Sequence, residues 1–259
     1  MNNLDISTQD GIQTITLARP DVRNAFNDEV IAELKAAFLH VAQQPHVRAV
    51  VLAAQGSAFC AGADLHWMRR MADYTHEQNI ADAAELAAML KAIYECPQPT
   101  IAKVQGDVYA GGLGLVAACD MAVSVDTAHF CVSEVKIGLI PATISPYLIR
   151  AIGARAAHRY FLTAERFDAA QAQRLGLVHE VVDAVQLDAK LNEWTQALVS
   201  VSPHAASACK TLLHDVAYQD LTPELVAHTV AGIANIRASE QGKEGVQAFL
   251  QKRKPSWLL

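Results

Sequence analysis

Two short glycine-bearing turns, Cys60-Ala-Gly-Ala-Asp64 and Tyr109-Ala-Gly-Gly-Leu-Gly114, together with Glu134, are the residues of this chain whose types and spacing suit chemistry. Each turn follows a run that reads as a buried strand and leads into a helical pattern. Such a turn leaves backbone N–H groups without partners, and the helix behind it adds partial positive charge. Two of them converging on one point would hold an oxyanion, the negative oxygen formed when a carbonyl or thioester is attacked or enolised. Gly111 and Gly112 let the backbone approach a ligand because no Cβ intervenes, although the same glycines equally permit tight strand–helix packing. Glu134 lies in the stretch Phe130–Pro141, where Lys136 is the only other charge. A carboxylate in apolar surroundings gains proton affinity, which suits general acid/base work. The plainer alternative is a glutamate ending a strand in solvent and paired with Lys136. Gly112-Leu-Gly114, with Glu134 about twenty residues on, also loosely matches a dinucleotide-binding fingerprint, but that leaves the first turn unexplained.

The elements that must position these residues alternate through the first half of the chain. Residues 11–18 suggest a strand, followed by a turn at Arg19-Pro20-Asp21. Asn27 is a plausible N-cap for a helix with Val30, Ile31, Leu34, Phe38 and Val41 at helical spacing. Val47–Ala53 reads as a buried strand entering the first turn, and Thr75 with Gln78 forms a capping box for a long helix that Pro97 and Pro99 terminate. A strand over Thr100–Gln105 precedes the second turn, and Gly112–Cys119 reads as a short buried helix. Short strands are expected at Met121–Val125 and His129–Ser133. From about Ser145 the pattern is almost wholly helical, with candidates at 145–157, 168–175, 187–200, 204–217, 223–238 and 241–252. A strand-rich part followed by a helical part argues one α/β domain with a helical extension.

Composition bounds the function. The chain has 259 residues, 52% hydrophobic and 19% charged, enough to bury a large core. The apolar stretches break before they reach membrane-spanning length. No basic, apolar leader is evident, so no targeting peptide is expected and the location is read as cytoplasmic. Five cysteines without C-x-x-C spacing read as buried apolar residues of a reducing compartment. A net charge of −6 without a long single-sign run disfavours nucleic acid or an anionic membrane surface as partner. The ten histidines show no metal-ligand spacing, so no metal is expected.

At these motifs the sequence resembles the crotonase (enoyl-CoA hydratase/isomerase) superfamily over essentially its whole length. The matching segments are Arg19-Pro20, Asn24-Ala25-Phe26-Asn27, Phe59–Leu65, Ala110–Leu115, Cys119-Asp120, Ser133–Pro141, Leu162-Thr163-Ala164, Ala172, Leu175–Val178, Ala248-Phe249 and Lys252-Arg253. The patterns Gly-Ala-Asp-Leu-x-Trp-Met and Ser-Glu-Val-x-Ile-Gly-Leu are similar to those of bacterial methylglutaconyl-CoA and carboxygeranoyl-CoA hydratases. The resemblance implies a spiral of ββα units over residues 1–195 and a helical region over 196–259 that builds trimers or a dimer of trimers. It implies an acyl-CoA substrate, with coenzyme A as part of that substrate and no separate cofactor. Its thioester oxygen would be held by Ala63 and Gly111, with Glu134 as acid/base. Ala61, Asp64, Leu65, Gly112 and Gly114 would line the substrate site, and Arg23 and Lys252 are candidates to meet the nucleotide.

One departure bears on mechanism. Two-carboxylate hydratases of this superfamily carry a glutamate where this chain has Gly114, so Glu134 stands alone. The loop Pro141-Ala-Thr-Ile-Ser-Pro146 also departs from the glycine-rich version common in the family. The expectation is an enoyl-CoA hydratase adding water across a 2,3 double bond, with 3-methylglutaconyl-CoA as favoured substrate and His66, Arg69, Arg70 or Arg150 facing its distal carboxylate. The alternatives are a Δ3-Δ2-enoyl-CoA isomerase that uses the single glutamate, and a non-catalytic acyl-CoA- or RNA-binding member of the family.

Overall fold

In a computed structural model, which describes residues 3–258, the chain forms two sheets that share successive strand pairs. The strands are β1 (Leu4–Gln9), β2 (Ile12–Leu17), β3 (Ala49–Ala54), β4 (Ala58–Cys60), β5 (Thr100–Val104), β6 (Asp107–Tyr109), β7 (Met121–Val125), β8 (His129–Cys131), β9 (Phe167–Asp168) and β10 (Glu180–Val182). One sheet has six strands in the order β1-β2-β3-β5-β7-β10, parallel except for the β1–β2 hairpin. The other has four in the order β4-β6-β8-β9, the first three parallel. The pairs β3–β4, β5–β6 and β7–β8 each give one strand to each sheet, which is the repeating ββα arrangement the resemblance implies.

The helices are α1 (Asp28–Val41), α2 (Leu65–Met71), α3 (His76–Tyr94), α4 (Gly111–Ala118), α5 (Ser145–Thr163), α6 (Ala169–Leu175), α7 (Leu187–Ser200), α8 (Pro203–Val216), α9 (Pro223–Ala238) and α10 (Glu240–Leu250). Asn27 caps α1 by accepting from the Val30 amide, and Thr75 and Gln78 close the expected capping box on α3. Helix α1 buries Val30, Ile31, Leu34, Ala37, Phe38 and Val41 on one face, and its extensive packing on α3 closes one side of the core. The largest fully buried side chains include Phe26, Phe38, Phe59 and Phe130.

Several expectations need correction. Strand β1 precedes the first expected strand and carries no burial alternation, since only Leu4 of its six residues is buried. The part beyond Ser145 is not wholly helical, since β9 and β10 lie within it, but two and three residues are too few to show a period. Helix α5 runs on to Thr163 and breaks at Gly153, whose φ of 76° and ψ of 153° are non-helical. Cys209 is exposed on α8, unlike the other four cysteines. The buried Lys210 of α8 pairs with Asp120 at 2.7 Å, fastening the terminal helices to the start of β7. Among the described residues, no helix is long and apolar enough to cross a membrane.

Candidate active site

Strands β4, β6 and β8 lie side by side, and each runs out at the same edge into one of the segments singled out above. Strand β4 leads to Ala61–Asp64, β6 to Ala110–Gly112, and β8 to Ser133-Glu134. Adjacent strands stand ~4.8 Å apart, so the three segments share one edge. The carboxyl ends of parallel strands are where open α/β sheets bind ligands.

The first turn is fixed from below by the loop preceding α1. Phe26 N–H donates to the Gly62 carbonyl at 2.9 Å, and Asp64 N–H donates to the Phe26 carbonyl at 3.0 Å. This parallel bridge uses the peptide groups flanking Ala63, so the Ala63 N–H faces the other way and has no acceptor among the described residues. Gly62 has a φ of +89°, and a Cβ there would stand 3.0 Å from the Ala110 Cβ and 3.2 Å from the Tyr109 carbonyl oxygen. The two turns therefore touch, and a side chain at position 62 would push them apart.

The second turn holds strain. Ala110 has a φ of 48° and a ψ of −124°, a region that favours glycine. It is held there because its N–H donates to the Cys131 carbonyl and its own carbonyl accepts from Leu113 N–H, both at 2.9 Å. Gly111 opens α4, where the first N–H has no intrahelical acceptor, and no other acceptor serves it among the described residues. Gly112 is buried against Cys60, whose Cβ and carbonyl oxygen would both lie 2.9 Å from an added Cβ.

Asp64 is a structural hub. Its Oδ1 caps α2 by accepting from His66 N–H at 2.8 Å, and its Oδ2 accepts from the Arg19 guanidinium at 2.9 Å. The same guanidinium donates to the Ala25 carbonyl. Burial alone would raise this carboxyl's pKa, but the His66 amide, the Arg19 guanidinium and the Trp67 amide outweigh it and hold it below the ordinary value. Both Asp64 oxygens are thus taken.

Glu134 begins a single 3-10 turn, Glu134–Ile137, directly after β8. The residue is half-buried, and its Oε2 is sealed from solvent without a hydrogen-bond partner among the described residues. Burial pushes the carboxyl's pKa above its ordinary value, against a weaker pull from its own amide. Lys136 does not pair with it; the ammonium sits 4.0 Å from Cys131 Sγ.

A cavity of about 410 Å³ opens beside the first turn, and Arg23, Ala61, Ala63, Asp64, Leu65 and His66 are among the residues lining it. Four of the sequence-predicted substrate contacts therefore come together there. Gly112 and Gly114 lie buried in α4 instead, Gly114 against Ile144. Lys252 follows α10 and does not line this cavity. Of the cations expected for a distal carboxylate, Arg70 pairs with Asp28 and Arg150 donates to the Pro146 carbonyl, while Arg69 is exposed without an ion pair among the described residues. Sequence reasoning gave no role to Phe26, Ala110 or Arg19, whose parts depend on contacts made through space.

The enoyl-CoA hydratase/isomerase family matches residues 7–258. A mouse mitochondrial protein, enoyl-CoA hydratase domain-containing protein 3, is 32% identical over 249 residues, covering 96% of this chain and 82% of the relative. An enoyl-CoA hydratase structure from Shewanella pealeana superposes with a TM-score of 0.96 at 43% identity, covering 99% of this chain and 96% of that one. One from Mycobacterium smegmatis gives a TM-score of 0.94 at 36% identity over the whole of both chains. The chain belongs to the enoyl-CoA hydratase/isomerase family and has the crotonase fold.

Proposed function

We propose that this protein is an enoyl-CoA hydratase in which Ala63 and Gly111 hold the thioester oxygen and Glu134 alone moves the protons. The observation that supports this reading is the shared strand edge: β4, β6 and β8 run out there into the two turns and into a half-buried carboxylate whose Oε2 has no partner among the described residues. Glu134 takes a proton from water as the water oxygen bonds to C3 of the 2,3 double bond. The π electrons move to the thioester oxygen, where the two N–H groups meet the growing negative charge. The enolate then collapses, and C2 recovers a proton from the Glu134 carboxyl. One water is added, and the carboxylate ends as it began.

Among enoyl thioesters the favoured substrate is 3-methylglutaconyl-CoA. Its distal carboxylate would be met by His66, which lines the cavity, or by the free Arg69. Arg23 at the same cavity would meet the nucleotide. Trimers, or dimers of trimers, would cover the apolar residues that α8–α10 expose, such as Leu213, Val230, Val246 and Phe249; light scattering in solution gives the mass directly.

A second reading, Δ3-Δ2-enoyl-CoA isomerisation, is favoured by the filled space beside Gly114, where Ile144 excludes a second carboxylate. One carboxylate can shuttle a proton between carbons without water. Incubation with a panel of 2-enoyl- and 3-enoyl-CoA thioesters, followed by mass spectrometry, separates the two. A gain of one water on the 2-enoyl substrates supports hydration, whereas double-bond migration without mass change supports isomerisation. Turnover of no thioester in the panel would overturn both.

A further inference from the structure

We infer that Phe26 is a positioning residue whose ring sets the separation between the Ala63 and Gly111 N–H groups. This rests on the reading that those two groups hold the thioester oxygen. Phe26 is hydrogen-bonded to the first turn through its backbone and packs against the second through its ring. Its backbone is stitched to the first turn on both sides of Ala63, through Gly62 at 2.9 Å and Asp64 at 3.0 Å. Its ring reaches across to the second turn, where a Cβ on Gly111 would fall 2.4 Å from Phe26 Cζ and 3.1 Å from Cε1. The ring edge therefore occupies the space of a side chain at position 111. It cannot drift, because the residue is only 2% exposed and the ring packs on Trp67 at a centroid distance of 6.1 Å. Trp67 is itself pinned by its indole N–H, which donates to Asp82 at 3.0 Å.

A close-packed contact of this kind acts as a spacer. Shortening the ring removes the support under Gly111 and lets that peptide shift, and lengthening it at Cζ pushes the turns apart. Either displacement leaves the carboxylate and the cavity in place but misaims one donor, and a misplacement near 1 Å costs on the order of a hundredfold in rate.

The test uses the full-length protein with Phe26→Leu, Phe26→Tyr, Gly111→Ala and the Phe26→Leu/Gly111→Ala double variant. The probe is a chromophoric β-aryl enoyl-CoA, whose absorption moves to the red when hydrogen bonds polarise its thioester carbonyl. Phe26→Leu and Phe26→Tyr are expected to bind the probe within a few-fold of wild type, to lose about 10- to 100-fold in kcat, and to show a smaller red shift. Gly111→Ala is expected to lose activity, and Phe26→Leu to restore part of it by clearing the space at Cζ. Should Phe26→Leu not fold, Phe26→Met carries the same measurements. A wild-type probe that shows no red shift overturns the oxyanion reading and this inference with it. A wild-type shift that Phe26→Leu leaves whole, with kcat unchanged, overturns the spacer role alone, as does a Gly111→Ala loss that Phe26→Leu does not relieve.

Discussion

Ile144 fills the space that a side chain on Gly114 would need: a Cβ there would stand 2.4 Å from Ile144 Cγ2, 3.0 Å from Ile144 Cβ and 3.3 Å from Leu90 Cδ2. Ile144 is itself buried, at the start of α5 in the loop that departs from the family pattern. The two departures seen in the sequence, Gly114 and the Pro141–Pro146 loop, are thus one event in space. The volume beside Gly114 is closed and apolar, and it leaves no room for a carboxylate at that position.

Gly114→Ala is therefore expected to destabilise. Helix propensity favours alanine over glycine by about 1 kcal/mol, but overpacking against Ile144 costs more, for a net loss of about 1–3 kcal/mol. The double variant Gly114→Ala/Ile144→Ala should be more stable than the sum of the singles by at least about 1 kcal/mol, because each change relieves the other. Denaturant unfolding of the four proteins measures the coupling, and simple additivity would show that Ile144 is not the obstacle.

Glu134→Gln should trade activity for stability. Turnover is expected to fall by about 10²- to 10⁴-fold as the proton carrier is lost. The folded pKa of Glu134 lies above its ordinary 4.5, so between the two values the native chain keeps a proton that the unfolded chain has released. Stability therefore falls as pH rises through that window, and the full penalty of the buried charge persists above it. Glu134→Gln should unfold at a higher temperature than wild type at pH 7 and match it below about pH 4. The acid limb of the wild-type rate profile should lie above the ordinary carboxylate range.

Asp64→Asn carries the opposite sign. Its folded pKa is depressed below the ordinary 3.8, so the unfolded chain binds the proton first as pH falls, and the ionised form stabilises the fold above that range. At pH 7 the variant keeps the Oδ1 cap on α2 but loses the charge that holds Arg19, at an expected cost of about 1–3 kcal/mol. Unfolding measured from pH 7 downward should show the gap to wild type narrowing once pH drops below about 4. A gap that is constant with pH would show that the ion pair contributes nothing.

Ala110→Gly separates strain from stability. Glycine adopts the backbone angles of this residue freely, relieving on the order of 1–3 kcal/mol of strain, while the freer unfolded chain takes back about 0.4–1 kcal/mol. The variant should be as stable as wild type or slightly more so, yet turn over several-fold more slowly because the Gly111 peptide is less firmly aimed. Paired melting and kcat measurements check this, and unchanged kcat would show that the strain does not serve the turn.

Much of the scaffold was legible in the chain. Asn27, Thr75 and Gln78 cap the helices their spacing predicts, because capping is decided within one turn of backbone. Strands β3, β5 and β7 announce themselves as apolar runs because parallel strands are buried on both faces. Strand β8 shows itself within a longer apolar stretch, but β4, β6, β9 and β10 do not, since a two- or three-residue strand is defined more by its neighbour than by its own pattern. Lys136 looked like a partner for Glu134 by proximity in sequence, but the 3-10 turn between them sends the two side chains apart.

The sequence by itself determined the kinds of groups available: two glycine turns at strand ends, one carboxylate in an apolar stretch, and a helix-rich second half. Those follow from local rules of backbone freedom, capping and periodicity. Only the tertiary structure decided that β4, β6 and β8 deliver their turns and Glu134 to a single edge, that Phe26 bonds one turn and packs its ring on the other, and that Ile144 occupies the space beside Gly114. These are contacts between residues tens of positions apart, fixed by close packing in three dimensions, and no spacing along the chain encodes them.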